Sequence, residues 1–448
     1  MPFGCWPTGV RAASRAVPRL DRRVVRSGPG GRRDWVAPAL LAWALAAPGA
    51  IQAQSSLHPL VNGVLVTTGT DLTPGNGRLA EISLVQPMLG LHGTAAGGHL
   101  GFTATVDFEG LSMPNGELTL GGWGEGFIDR RHPHTYAHEL VVAGLVGKRP
   151  GAGAWQLGIV GGKGFVPFGS DDPMSRPPLR YPVNHHWSQI LERAMLAAQL
   201  RLYAAVLEAS LFNGDEPEYP SQWPNWSRFG DSWAIRLLLE PAPWLELQGS
   251  LAKVHSPEHR PGAGLDQDKV SVSGRFDRPT ATGNAYAMVE WAQTREADGF
   301  FRYQSWLAEG AIRTGRHRPY VRYERTERPE EERTVDPFRS LRPHLENSIL
   351  GTSRWTIYTA GYRIAVTGPG SGAVVEAFAE TSRGRIAKIG GGVFEVDSYY
   401  GEDAFWSLSV GIRIGIGLTG HRMGRYGVLA SLAPSQHGLH QTEPRRGP

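Results

Sequence analysis

The stretch "SLSVGIRIGIGL", Ser407 to Leu418, alternates almost without a break. Side chains point to opposite sides of an extended strand, so Leu408, Val410, Ile412, Ile414, Ile416 and Leu418 fall on one face. Ser407, Ser409, Gly411, Arg413, Gly415 and Gly417 fall on the other. At roughly 3.3 Å per residue the stretch spans about 40 Å, twice a common strand. One arginine sits in the middle of its polar side. A strand that crosses hydrocarbon at a tilt needs about 9–11 residues, apolar towards lipid and polar or small towards a lumen.

The same period-two pattern recurs along the chain. In residues 99–110, Leu100, Phe102, Ala104, Val106 and Phe108 oppose Thr103, Thr105, Asp107 and Glu109. In 269–277, Val270, Val272 and Phe276 oppose Lys269, Ser271, Ser273 and Arg275. Segments 232–241, 244–254, 355–366 and 373–382 follow suit, each bounded by turn residues. After Ala53 no run reaches 18 apolar residues, which excludes helical spans.

The pattern predicts an all-β fold, a transmembrane antiparallel β-barrel of about sixteen strands. They begin near residues 79, 98, 116, 136, 154, 193, 204, 232, 244, 267, 283, 301, 318, 354, 372 and 404. Short connections such as "PAP", "RPTAT" and "GRH" alternate with long ones at 163–192, 213–231, 256–266, 329–353 and 385–403. Outer-membrane barrels have this rhythm, with short turns on the periplasmic side and long loops outside. An even strand count puts both ends of the barrel on the periplasmic side. Residues 54–78 are therefore expected as a periplasmic lead-in, 79–418 as the barrel and 419–448 as a C-terminal tail, although 60–69 and 424–432 could each make a strand.

Residues 1–53 read as a signal peptide with an arginine-rich extension: eight arginines against two aspartates, then an apolar run from Val36 to Ala47 and a small-residue end at Ala53. That segment carries a formal +6, so the rest of a chain with net charge +4 is close to −2. The basic pI therefore gives no argument for nucleic acid as a partner. The single cysteine, Cys5, lies in the same segment, so the mature chain is expected without disulfides.

"GKGFVPFG" (Gly162–Gly169) and "EASLFNGDEP" (Glu208–Pro217) resemble strand-end motifs of bacterial outer-membrane porins, in particular the phosphate-selective (O/P-type) group. The resemblance implies a bacterial outer-membrane channel for passive diffusion of small hydrophilic solutes or ions. It also implies that the connection after the fifth strand, here 163–192, folds into the lumen as a constriction. Outer-membrane lipid is the expected surrounding, a homotrimer the expected assembly, and no cofactor or enzymatic activity is expected. Two alternatives are a closed barrel acting as receptor or structural protein and an outer-membrane hydrolase.

The 163–192 segment collects Asp171, Asp172, Arg176, Arg180, His185 and His186, charges that would narrow a pore and set a field across it. Expected lumen-lining charges are Arg201, Arg236, Arg275, Arg322, Arg363 and Arg413 with Glu109, Glu208, Glu240, Glu376 and Glu380, since an arginine on the lipid face costs about 2–4 kcal/mol at mid-depth. In "RRHPHTYAHE", His132, His134 and His138 share parity, a pattern usable by a metal. No HExxH occurs, and the Gly162-Lys163-Gly164 run lacks the Ser/Thr and following helix of a phosphate-binding loop.

Overall fold

The computed structural model describes residues 55–72, 78–112, 134–147, 155–217, 219–331, 349–368, 372–417 and 422–430. Sixteen antiparallel strands close into one barrel. They are β1 (Ser56–Thr70), β2 (Leu79–Ala95), β3 (Leu100–Asp107), β4 (Ala137–Gly147), β5 (Trp155–Gly164), β6 (Arg193–Leu202), β7 (Ala205–Phe212) and β8 (Ser232–Ala242). The second half comprises β9 (Leu245–Val254), β10 (Gln267–Thr280), β11 (Gly283–Glu296), β12 (Phe301–Thr314), β13 (His317–Glu331), β14 (Ile349–Ala365), β15 (Ala373–Gly392) and β16 (Ala404–Ile416). Every strand pairs with its sequence neighbour, and β1 pairs with β16 to complete the wall.

The expectation for 54–78 is corrected here. Residues 56–70 are a barrel strand, paired with β2 on one side and with β16 on the other, in register from Val61↔Ile416 to Thr70↔Ser407. The physical reason is edge closure: a strand edge facing hydrocarbon finds no hydrogen-bond partner, and "LVNGVLVTTG" supplies one. The strand expected near residue 116 lies outside the described residues, and β3 pairs directly with β4. Strands β2 and β3 therefore run opposite to the directions expected from a barrel starting at residue 79. Their connection at 96–99 belongs to the short-turn end, while 108–136 joins the end that carries 165–192, 213–231, 255–266 and 393–403.

The side-chain alternation follows the sequence pattern. In β16, Leu408, Val410, Ile412 and Ile414 are about half exposed on the outside, whereas inward-facing Ser407, Ser409 and Arg413 are buried. Around the wall the outward set continues with Leu65, Ile82, Ile159, Leu196, Leu251, Val289 and Val321, an apolar band of the kind a lipid-facing wall needs. Exposed aromatics mark both ends of it: Trp155, Tyr203 and Trp244 at the short turns, Trp226, Phe229, Trp233 and Phe300 at the other end.

Glycine enables close packing across two strand pairs. Tyr320 lies opposite Gly361, and Phe405 opposite Gly384. A Cβ on either glycine would sit 2.1–2.2 Å from the facing ring. Each aromatic thus lies flat over the backbone of its partner strand, pinning register where the glycine alone would leave it loose.

Candidate functional site

The inward face is polar, and the chain fills it from within. Residues 165–192 leave β5 and return to β6 after crossing the lumen, anchored to wall residues from distant strands. The Gly169 N–H donates to Ser250 Oγ (2.9 Å) on β9, and Arg236 on β8 donates to the Gly169 carbonyl (3.2 Å). Asn184 donates to Glu290 on β11 (2.8 Å), the Val183 N–H to Glu324 on β13 (2.7 Å), and Arg363 on β14 to the Pro177 carbonyl (2.7 Å). Arg413 of β16 donates to the Met174 carbonyl (3.3 Å). Leu179 packs with Val64, Val66, Val85 and Phe378 on β1, β2 and β15, three to six strands round the wall from β5.

The six constriction candidates are all in this segment, with distinct roles. Asp171 accepts from Arg275 of β10 (2.6 Å) and from Arg422 (2.9 Å). Burial alone would raise its pKa, but these two guanidinium groups outweigh burial and hold the carboxyl well below the usual range. Asp172 caps a turn by accepting from the Met174 N–H (2.7 Å) and lies 3.6 Å from His185 Nε2. Arg176 donates to Ser170 (2.7 Å) and faces Glu290 and Glu309. Arg180 donates to Glu324 and Thr359, with Glu380 at 3.9 Å. The His185 ring packs tilted against Tyr181, and the His186 carbonyl accepts from Lys269 (2.9 Å).

Most of the charges expected to line the pore are matched by opposite charge. Arg236 binds Glu208 at 2.6 Å, Arg322 binds Glu309 at 2.9 Å, Arg201 lies 3.4 Å from Glu240, and Arg363 binds Glu376. Tyr320 donates to Glu380 at 2.9 Å, and Arg413 donates to Asn62 at 3.1 Å. Glu109 corrects its expected place on a strand: it sits in a short helical turn, Glu109–Ser112, buried against His134. Its N–H donates to Asp107 (2.8 Å), which ends the strand two residues early.

A second element was not foreseen. Residues 422–430, in the segment expected as a tail, turn back from the end of β16 into the barrel. Arg422 binds both Asp171 and Glu246 (2.7 Å), and Arg425 binds Glu246 (2.8 Å). Tyr426 donates to Glu139 of β4 (2.6 Å), and burial, then the charge of Glu139, keep its phenol protonated by raising its pKa. Val428 and Leu429 pack against Val206 and Leu238, and the Val428 N–H donates to Gln199 (3.0 Å). Glu246 and Val206 are the second residues of β9 and β7, near the short turns, whereas Glu139 and Phe165 lie at the long-loop ends of β4 and β5, so this segment runs along the inner wall over β4–β9 between the two ends. Its sequence signal is the sparse basic pair of "HRMGRYGVL", which suits neither a lipid face nor a free strand.

Of the three histidines, His132 lies outside the described residues. His134 and His138 are buried together with Asp107, an acid that spacing alone did not connect to them.

No family model matches the chain, and no curated protein matches it. Among solved structures it is similar to the anion-selective porin from Comamonas acidovorans, with 11% identity and a TM-score of 0.48 over 81% of this chain and 100% of that one. It is also similar to the trimer form of OmpT, an outer-membrane protein of Vibrio cholerae (9% identity, TM-score 0.45, 81% and 99% covered). A third similarity is to Pseudomonas aeruginosa OccK3 (10%, TM-score 0.35, 81% and 96%).

Proposed function

We propose that the protein is a bacterial outer-membrane channel for small hydrophilic solutes or ions, with a resting lumen narrowed by 165–192 and stoppered by 422–430, which enters from the short-turn end. The observation that carries this reading is the chemistry of the inner wall. A passage for hydrophilic solutes needs a polar lining, and this wall presents charged and hydroxyl groups such as Arg236, Glu290, Glu309, Arg322, Glu324 and Ser409. What blocks the passage is held there by ion pairs and hydrogen bonds to that wall, which water can replace, and by apolar packing of Leu179, Val428 and Leu429. The stopper enters from the end of β16 and includes no barrel strand, so its withdrawal leaves the wall hydrogen bonding intact.

The test is single-channel conductance in planar bilayers, comparing the full chain with one ending at residue 418. The full chain should stay mostly closed, and the truncated one should open in frequent, larger steps. Removing 170–188 as well should enlarge the steps further. A second reading, a closed barrel serving as receptor or structural element, draws on the same packed lumen. It takes first place if neither deletion produces conductance in barrels that are folded.

A further inference from the structure

We infer that Asp107, His134 and His138 bind one divalent transition-metal ion of the zinc class, beneath the 165–192 segment at the long-loop end of the lumen. The inference is independent of conduction.

The strand pairing assembles the site. Asp107 is the last residue of β3, and Val106 pairs with Ala137, so Asp107 lies beside the chain that leads into β4 and carries His134 and His138. One ligand atom from each residue lies within 4.8 Å of the other two. All three side chains are buried, at 1%, 4% and 0% exposure, so solvent does not account for their grouping. The two imidazole rings are 5.0 Å apart.

Hydrogen bonding sets the tautomer of His138. Its Nδ1 lies 3.0 Å from Glu192 Oε1, and a carboxylate there accepts a hydrogen bond from Nδ1–H, which keeps the proton on that nitrogen. The lone pair is then on Nε2, which is buried with no hydrogen-bond partner. A carboxylate behind one nitrogen with the other left for an ion is the usual outer support of a metal-bound histidine. His134 Nδ1 lies 3.2 Å from Asp107 Oδ2 and 3.2 Å from Glu109 Oε2, so Glu109 is at hand as a fourth donor.

Charge and donor type narrow the ion. Three carboxylates, Asp107, Glu109 and Glu192, contact the two imidazoles, and the lysine beside them is Lys163, 2.8 Å from Glu192. With neutral imidazoles the group carries a formal −2, which a dication balances. Two imidazoles with carboxylate suit zinc and its neighbours rather than calcium, which takes 6–8 oxygens. Around a tetrahedral ion with bonds of about 2.0 Å, ligand atoms stand about 3.3 Å apart, so the donors must draw in. Asp107 ends a strand and His134 precedes one, so closing this distance shifts strand ends and leaves the strand ladder in place.

The experiment uses the full chain in detergent, stripped with EDTA, titrated with zinc chloride by calorimetry, with bound zinc counted by mass spectrometry and thermal unfolding followed in parallel. One zinc per chain should bind and raise the melting temperature. Asp107→Asn and His138→Gln should each weaken binding by tenfold or more, and Glu192→Gln by about tenfold through loss of the supporting hydrogen bond. A double variant, His58→Gln with His92→Gln, alters a stacked histidine pair away from the site, 5.3 Å apart on β1 and β2, and should leave binding unchanged. Each variant is first checked for its barrel by heat-modifiable migration, and the near-isosteric Asp107→Asn serves if His138→Gln fails that check. The inference is overturned if the full chain takes up no zinc. It is equally overturned if folded Asp107→Asn binds like the parent, or if the His58/His92 variant is the one that loses the ion.

Discussion

Arg422, which follows the last strand, and Arg275, which belongs to the wall, grip the same carboxylate, Asp171, at 2.9 and 2.6 Å. A single buried side chain therefore ties the constricting segment to the barrel and to the stopper at once.

Asp171→Asn should loosen that knot. Removing one partner from a buried ion pair typically costs about 3–5 kcal/mol, because the remaining charges lose their compensation. Here two guanidinium groups are left facing each other. Single-channel records should show shorter closed dwell times and a shift towards anion preference at low salt. Unchanged dwell times would mean that Glu246 alone retains the stopper.

The pH dependence of closure follows from the same carboxyl. Its pKa is depressed in the folded protein, so its contribution is complete above the ordinary value of about 3.9 and is lost as pH falls through its own, lower value. Closed-state occupancy should be level from pH 8 to about pH 5 and decline only below about pH 4. A decline centred near pH 6.5 would assign control to a histidine instead.

Gly361→Ala should displace Tyr320. The added methyl meets the ring, and the ring cannot move without disturbing the 2.9 Å hydrogen bond from Tyr320 to Glu380. Overpacking of this kind costs about 1–3 kcal/mol. Urea unfolding of the barrel in lipid vesicles should report a loss in that range, with Gly249→Ala, whose Cβ would meet nothing, close to the parent.

Ile412→Arg places a charge on the outer face of β16, where about 2–4 kcal/mol is expected at mid-depth. Folding yield into bilayers should fall sharply. Ser409→Thr on the inner face of the same strand should fold normally.

Cysteines introduced at 226, 300 or 393 should react with an impermeant maleimide on intact cells, and those at 97, 203, 282 or 316 should not. Position 97 is the informative one, since it tests the direction of β2 and β3 that follows from residues 56–70 being the first strand.

Much of the wall was legible because lipid and lumen impose opposite demands on neighbouring residues, as Ile412 and Arg413 show. For 163–192, an inward course was expected only through the resemblance to porins, in which the connection after the fifth strand constricts the lumen. The partners of its charged residues were not legible: Glu290, Glu309 and Glu324 look like any inward carboxylate until register sets their depth. β1 was misjudged because parity of strand number was used to place the chain ends, and with β3 paired directly to β4 the count stays even when β1 is added. The stopper was missed because Arg422, Arg425 and Tyr426 satisfy no periodicity. Their positions depend on Asp171, Glu246 and Glu139, which are between 176 and 287 residues away in the chain.

The seam between β1 and β16 also bears on how fast the protein can form. Thr68 and Ser409 share a 2.8 Å hydrogen bond across 341 residues. The other fifteen pairings join strands adjacent in sequence and can zip from local turns, whereas this one must wait for the ends of the whole sheet to meet. Seam closure should therefore be the slow phase of refolding. The stopper, which follows β16 by a few residues, can seat only once that strand is in place, so its contacts should be the last to form and the first to exchange amide hydrogens.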